Sequence, residues 1–199
     1  MLFDSILTPV VQTLERSRTG RTALRSWRRF RADLDPMKPR VLCVGYVKTG
    51  TSSFGKAMRH LGFSHYGYDP DLKKALEQGD VQTCLRWATS FNSLDDRPWS
   101  DPVFIDHYRM HFPGSYYVLL ERDETQWLSS FFNFYGSICT KKQALQRLRD
   151  HQTEVLNILH SEPHILKMNI CAGDGYEMLC PFLGLPIPET PFPWVIPRK

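Results

Sequence analysis

Apolar positions in this chain fall into continuous runs and helically spaced ones. Val41, Leu42, Cys43 and Val44 are apolar without a break between Arg40 and Gly45, which predicts a strand covered on both faces, as in a parallel sheet. Tyr116 to Leu120 is a second such run, and Phe91 to Leu94 and His164 to Met168 read as shorter strands. Between them, Phe54, Ala57, Met58 and Leu61 share one helical face and predict a helix over 52–61, ended by Gly62. Asp69-Pro70 opens another helix through about residue 78, and Asp80 caps a third that carries Cys84, Leu85, Trp87 and Ala88. Helices are also expected near 100–111, 124–135, 141–160 and 174–183, with a turn at Pro113-Gly114 before the second buried strand. Strands alternating with helices predict an α/β three-layer fold, a mostly parallel central sheet flanked by helices.

The ends of the chain follow other patterns. Residues 5–32 read as two helical pieces broken near Thr19-Gly20; Leu7, Val10, Val11 and Leu14 form an apolar stripe, and Arg21, Arg25, Arg28, Arg29 and Arg31 crowd the second piece. Asp35-Pro36-Met37-Lys38-Pro39 makes a rigid connection to the first strand. The expected division is a basic helical N-terminal extension over 1–40 and an α/β domain over 41–199. Six prolines from Pro181 to Pro197 give an extended tail that lies along the body.

Charge sharpens this division. The 199 residues carry 25 Lys+Arg against 21 Asp+Glu, a net of +4. Nine of those cations and four of the anions fall in residues 1–40, so the body is close to neutral. A nucleic-acid-binding body is therefore not indicated. A basic arm over residues 1–32 either packs its few apolar residues on the core or makes peripheral contact with an anionic membrane surface. No run of about 18 apolar residues predicts a membrane span, and the start lacks the basic leader of a secretory signal. Five scattered cysteines, Cys43 among them in an apolar strand, point to a reducing, cytoplasmic setting.

The stretch VLCVGYVKTGTSSFGKAM carries the chemistry. A strand ends at Gly45, a loop holds Gly50, and Thr49, Thr51, Ser52 and Ser53 lead into a helix. Such a turn either serves structure alone or presents backbone N–H groups and a helix N-terminus to an anion. Gly45 and Gly50 have the spacing of a Walker loop, but Thr51 stands where that motif has its Lys, and Lys48 precedes Gly50. The Tyr46-Val47-Lys48-Thr49-Gly50-Thr51-Ser52 run resembles the 5′-phosphosulfate loop of sulfotransferases that use 3′-phosphoadenosine 5′-phosphosulfate (PAPS), commonly Y-P-K-[ST]-G-T-[ST], with Val47 in place of the proline. Their second element is a strand ending in Arg with Ser eight residues on. It is matched by Tyr117-Val118-Leu119-Leu120-Glu121-Arg122 and Ser130. Pro113-Gly114, Trp127, Asp174-Gly175-Tyr176-Glu177 and Pro191-Phe192-Pro193 also match one sulfotransferase subgroup, so the resemblance covers about residues 40–194.

This resemblance implies a P-loop-like fold and metal-independent sulfuryl transfer from PAPS to an acceptor hydroxyl on a small molecule, lipid or carbohydrate, leaving 3′,5′-adenosine bisphosphate. Lys48 and the amides of Thr49, Gly50, Thr51 and Ser52, with Ser53, would hold the 5′ end; Arg122 and Ser130 would hold the 3′-phosphate, with Ser129 as alternative to Ser130. Arg122 could instead pair with Glu121, Asp123 or Glu124. The general base is expected at Asp96, with Asp95 second; both could simply cap the turn before Pro98. Arg198 and Lys199 could close on the 3′-phosphate. Tyr66, Tyr68, Trp87, Trp99 and Phe134 line an apolar pocket or belong to the core, their ordinary place. Two other functions remain open: a P-loop small-molecule kinase, or a non-catalytic nucleotide-binding protein of the same fold.

Overall fold

Three side chains without any solvent exposure, Val41, Leu42 and Cys43, form strand β1 (Val41–Cys43) in a computed structural model that describes residues 37–195 with Thr19, Gly20, Ala23 and Ser26. Burial on both faces puts β1 inside the sheet. β2 (His65–Tyr66), β3 (Ser93–Leu94), β4 (Tyr116–Leu120) and β5 (Ile165–Met168) complete it in the order β2-β3-β1-β4-β5, every neighbouring pair parallel. The connecting segments are helical, as parallel strands require. They are α1 (Thr51–His60), α2 (Pro70–Glu77), α3 (Val81–Ala88), α4 (Pro102–His111), α5 (Glu124–Tyr135), α6 (Lys141–Ile158) and α7 (Tyr176–Leu183). The fold is thus α/β, with five parallel strands and seven flanking helices among the described residues.

Local chemistry explains most helix starts. Asp69, Asp80, Asp101 and Asp123 accept backbone N–H groups at the starts of α2, α3, α4 and α5, and Thr140 with Gln143 forms a capping box on α6. The start of α1 differs: its N-cap, Gly50, offers no side chain. The main core joins β1 and β4 to α1 and α7 through Val41, Phe54, Met58, Val118, Leu120 and Leu179; a second packs Trp127 and Phe131 of α5 on Ala144 and Leu148 of α6.

Strand order positions the site. From β1 the chain crosses to β2 at one edge of the sheet and returns to β3 beside β1, whereas β4 and β5 extend the sheet on the other side of β1. The order reverses between β1 and β4, and ligands of open α/β sheets bind at the carboxyl ends of the strands at such a point. Lys48 follows β1 and Arg122 follows β4.

The chain divides into two compact units, Met1–Asp33 and Leu34–Lys199. Thr19 and Gly20 are helical, so the expected break between two helical pieces does not fall there. Ala23 and Ser26 are helical as well; the rest of that helical expectation, and the contact with a membrane weighed for residues 1–32, lie outside the described residues. No helix among the described residues is long and apolar enough to cross a membrane. The strand expected over 91–94 pairs only at Ser93–Leu94, and β2 is too short, at two residues, for a period to reveal it.

Candidate active site

The loop after β1 is shaped by two glycines with different duties. A side chain at Gly45 would sit 2.6 Å from Leu120 Cβ and 2.8 Å from Thr49 Oγ1, so only glycine lets the loop pass β4. Gly50 has φ 115°, a left-handed conformation open to glycine, and it turns the chain into α1. The first helical N–H groups are left unpaired by the geometry of any helix, and here no capping side chain meets them. Those donors and the helix dipole favour an anion at this end.

Side chains from α5 and the end of β4 hold this loop from outside. Trp127 Nε1 donates to the Val47 carbonyl at 2.8 Å, and Arg122 Nη1 donates to the Lys48 carbonyl at 3.0 Å. Thr49 Oγ1 donates to the Tyr46 carbonyl at 2.6 Å, so this buried hydroxyl is spent inside the loop. Lys48 has φ 67° and Asp96 φ 62°, and among the described residues they are the two non-glycine residues in that left-handed region. Such strain concentrates at functional sites because the rest of the fold must hold it in place.

Both residues line one cleft of about 220 Å³. Gly50, Thr51, Ser52, Ser53, Arg122 and Ser130 line it as well. Ser129 does not; it lies on an exposed part of α5 beside Thr125 and Asn133. Asp95 also stays out of the cleft, buried and paired with His65. Glu124 forms a paired contact with Arg149, and Glu121 pairs with Lys167 at 3.8 Å, so neither engages Arg122. The Arg122 Nε is buried and makes no hydrogen bond. A guanidinium N–H buried beside an uncapped helix start fits an anionic ligand, which would satisfy both.

Electrostatics in the cleft are asymmetric. Burial, and then the neighbouring Arg122 guanidinium, pull the Lys48 ammonium below its ordinary value, while Asp96 acts the other way. The Lys48 Nζ lies 4.0 Å from the centre of the Phe134 ring. Burial first, and the Asp95 carboxylate second, push the Asp96 carboxyl above its ordinary value; the Arg97 N–H, the Arg97 charge and Lys48 oppose them. Asp96 also keeps the turn role, since its Oδ1 accepts the Arg97 N–H at 2.8 Å and its carbonyl accepts the Ser100 N–H at 2.8 Å. One residue therefore serves the turn and faces the cleft.

A family model described as "Sulfotransferase domain" matches residues 40–145 and 133–199. The chain belongs to the sulfotransferase family. Its P-loop-like α/β core carries the two motifs that the resemblance rested on, one after β1 and one after β4. Among solved structures, a gluconokinase from Sinorhizobium meliloti 1021 is similar at 13% identity, covering 75% of this chain and 92% of that one with a TM-score of 0.46. No curated protein sequence matches the chain.

Within this sulfotransferase core, the expected aromatics divide. Tyr66 and Trp99 are core, whereas Phe134 is 64% exposed and lines the cleft rather than the core. Tyr135, Ile170, Cys171, Trp194 and Val195 line it too, and sequence reasoning did not single them out. The tail runs along the body as its prolines suggest, and the Val195 N–H donates to Ser53 Oγ at 3.0 Å. Aromatic character beside the Pro-rich run was the one signal available for Trp194. Arg198 and Lys199 lie outside the described residues.

Proposed function

We propose that this chain transfers a sulfuryl group from PAPS to the hydroxyl of a small molecule, lipid or carbohydrate. The observation that carries the reading is the convergence of Lys48 and Asp96, both in left-handed backbone, on the cleft that also holds Arg122, Ser130 and the uncapped start of α1. When bound, PAPS supplies the sulfuryl group and a phosphate leaving group. Lys48 and the amides of Thr49, Gly50, Thr51 and Ser52, with the hydroxyls of Thr51, Ser52 and Ser53, hold the 5′ end and meet negative charge as it develops there. Arg122 and Ser130 hold the 3′-phosphate, the guanidinium through its planar fork. Asp96 takes the proton of the acceptor hydroxyl, and its raised proton affinity suits that role better than an ordinary carboxylate would. No residue here is assigned to a metal, and the reaction proceeds without one.

The setting is cytoplasmic on this reading, in keeping with five free cysteines, three of them buried. A kinase is less well supported, because Thr51 occupies the place of the Walker lysine and is itself buried. The deciding measurement is thermal unfolding with 3′,5′-adenosine bisphosphate and, separately, with ATP and magnesium. The bisphosphate raises the Tm and ATP–magnesium leaves it in place; the opposite pattern overturns the assignment. In a sulfuryl-transfer assay, Lys48→Ala lowers kcat by about 10²–10³-fold, the usual cost of removing one donor to developing charge. A protein that binds the bisphosphate and transfers nothing across an acceptor panel is the non-catalytic member of the fold.

A further inference from the structure

Beneath α1, His65 of β2 and Asp95, which follows β3, form a buried pair that plays no part in the chemistry above. Their side chains are 1% and 6% exposed, and His65 Nε2 lies 3.4 Å from Asp95 Oδ1. The other ring nitrogen, Nδ1, lies 2.8 Å from Ser93 Oγ. His65 and Ser93 are register partners in the sheet, so adjacent parallel strands set the imidazole's position. With the Ser93 hydroxyl donating to Nδ1, the Nε2–H is directed at the carboxylate.

The surroundings make room for that carboxylate. A Cβ at Gly55 of α1 would stand 2.5 Å from His65 Nε2 and 2.9 Å from Asp95 Oδ2, and one at Gly67 would stand 2.8 Å from Asp95 Oδ1. Two glycines in separate segments thus leave space for the same buried acid. The Asp95 N–H donates to the Tyr66 carbonyl at 3.2 Å, which ties its backbone to β2. The next residue is Asp96, in left-handed backbone and facing the cleft. An isolated carboxylate would be costly at such a depth, and structure this specific around one calls for a reason.

We propose that His65 and Asp95 are positioning residues for Asp96: they fix the strand end that aims it into the cleft and hold a negative charge behind it. The inference rests on the reading of Asp96 as the base. The groups facing Asp96 are Asp95 on its N-terminal side, Arg97 on its C-terminal side, Lys48 from the phosphate loop and Tyr135 from α5. Of these, Asp95 strengthens the affinity of Asp96 for a proton, while Arg97 and Lys48 weaken it. Cys43 of β1 feels the same acid, its thiol being pushed up by burial first and by Asp95 second. The His65 Nε2 stands against the Asp95 carboxylate at 3.4 Å and holds it in place behind Asp96.

The test uses the full chain labelled with 13Cγ-aspartate and followed by carboxyl NMR through a pH titration without cofactor, Asp96 being assigned by the resonance missing from Asp96→Asn. In Asp95→Asn the Asp96 midpoint moves to lower pH. His65→Phe moves it the same way, and His65→Gln, which keeps a donor, restores much of the original midpoint. An unmoved Asp96 midpoint in Asp95→Asn overturns the proposal, and this near-isosteric variant decides the matter alone if His65→Phe does not fold. A Gln variant that behaves like Phe overturns the part assigned to the Nε2–H. In active protein the acid limb of the kcat profile follows the NMR midpoint while KM stays constant. The titration needs neither PAPS nor acceptor, so its failure is distinct from a failed bisphosphate shift, which strikes at the transferase reading.

Discussion

Lys48 and Asp96 each burden the fold, and both burdens meet in one cleft. Left-handed backbone costs a non-glycine residue about 1–2 kcal/mol, less for Asp, whose short polar side chain bonds locally as it does here to the Arg97 N–H. Asp96 also carries a charge that burial and Asp95 oppose. Because its folded pKa lies above the unfolded value of about 4, its contribution to stability is fully present below that pH and is lost as pH rises through the folded value. Near neutral pH the ionised Asp96 therefore holds the fold below what a neutral isostere would allow. Asp96→Asn, which keeps the acceptor for Arg97 and tolerates positive φ, raises the Tm at pH 7, and the gain shrinks as unfolding is measured at lower pH. The same variant loses about 10²–10⁴-fold in kcat, the range for removing a general base. A variant more stable and still fully active would show that Asp96 serves the turn alone.

The loop after β1 is an element whose shape is held by its neighbours. The family's usual proline would restrict it at position 47, where this chain has Val47. Instead Trp127 donates to the Val47 carbonyl and Arg122 to the next carbonyl, so α5 and the end of β4 supply the restraint from outside. Trp127→Phe keeps an aromatic ring in the cluster with Phe131 and Leu148 but removes the donor. Its expected cost is about 1 kcal/mol of stability, the net worth of a typical hydrogen bond. Affinity for the bisphosphate falls with it by up to about tenfold, as a looser loop must be ordered on binding. Paired measurements of unfolding in denaturant and of bisphosphate titration check both numbers. Loss of stability with unchanged affinity would place the bond in the core rather than in the site.

At the scale of the molecule, the proposed function asks a nearly neutral body to take a strongly anionic ligand through a few placed cations. Ligand at a hundred times its Kd stabilises by about 2.7 kcal/mol, several degrees in Tm for a chain of this size. Arg122→Lys, which keeps the charge but loses the planar guanidinium and its Nη1 bond to the Lys48 carbonyl, removes most of that shift; differential scanning fluorimetry reads it directly. Much of this arrangement is one-dimensional. Continuous apolar runs specify a strand buried on both faces, and short offsets along the chain tie Lys48 to Gly50 and Arg122 to the end of β4, so the fold class and both family motifs could be read from residue order alone. The choice between Asp95 and Asp96 could not. Adjacent residues leaving a strand point to different sides, and Asp95 turns to His65, set in a two-residue strand that no periodicity announces, while Asp96 lines the cleft. The prolines gave a tail along the body, but its contact of Val195 with Ser53, 142 residues away in the chain, was out of reach. Sequence by itself determined the fold class, the buried strands β1 and β4, and the loop and charges at fixed spacing. Tertiary structure alone decided which acid lines the cleft and which part of the tail lies beside it, because those contacts join segments whose separation along the chain carries no local signal.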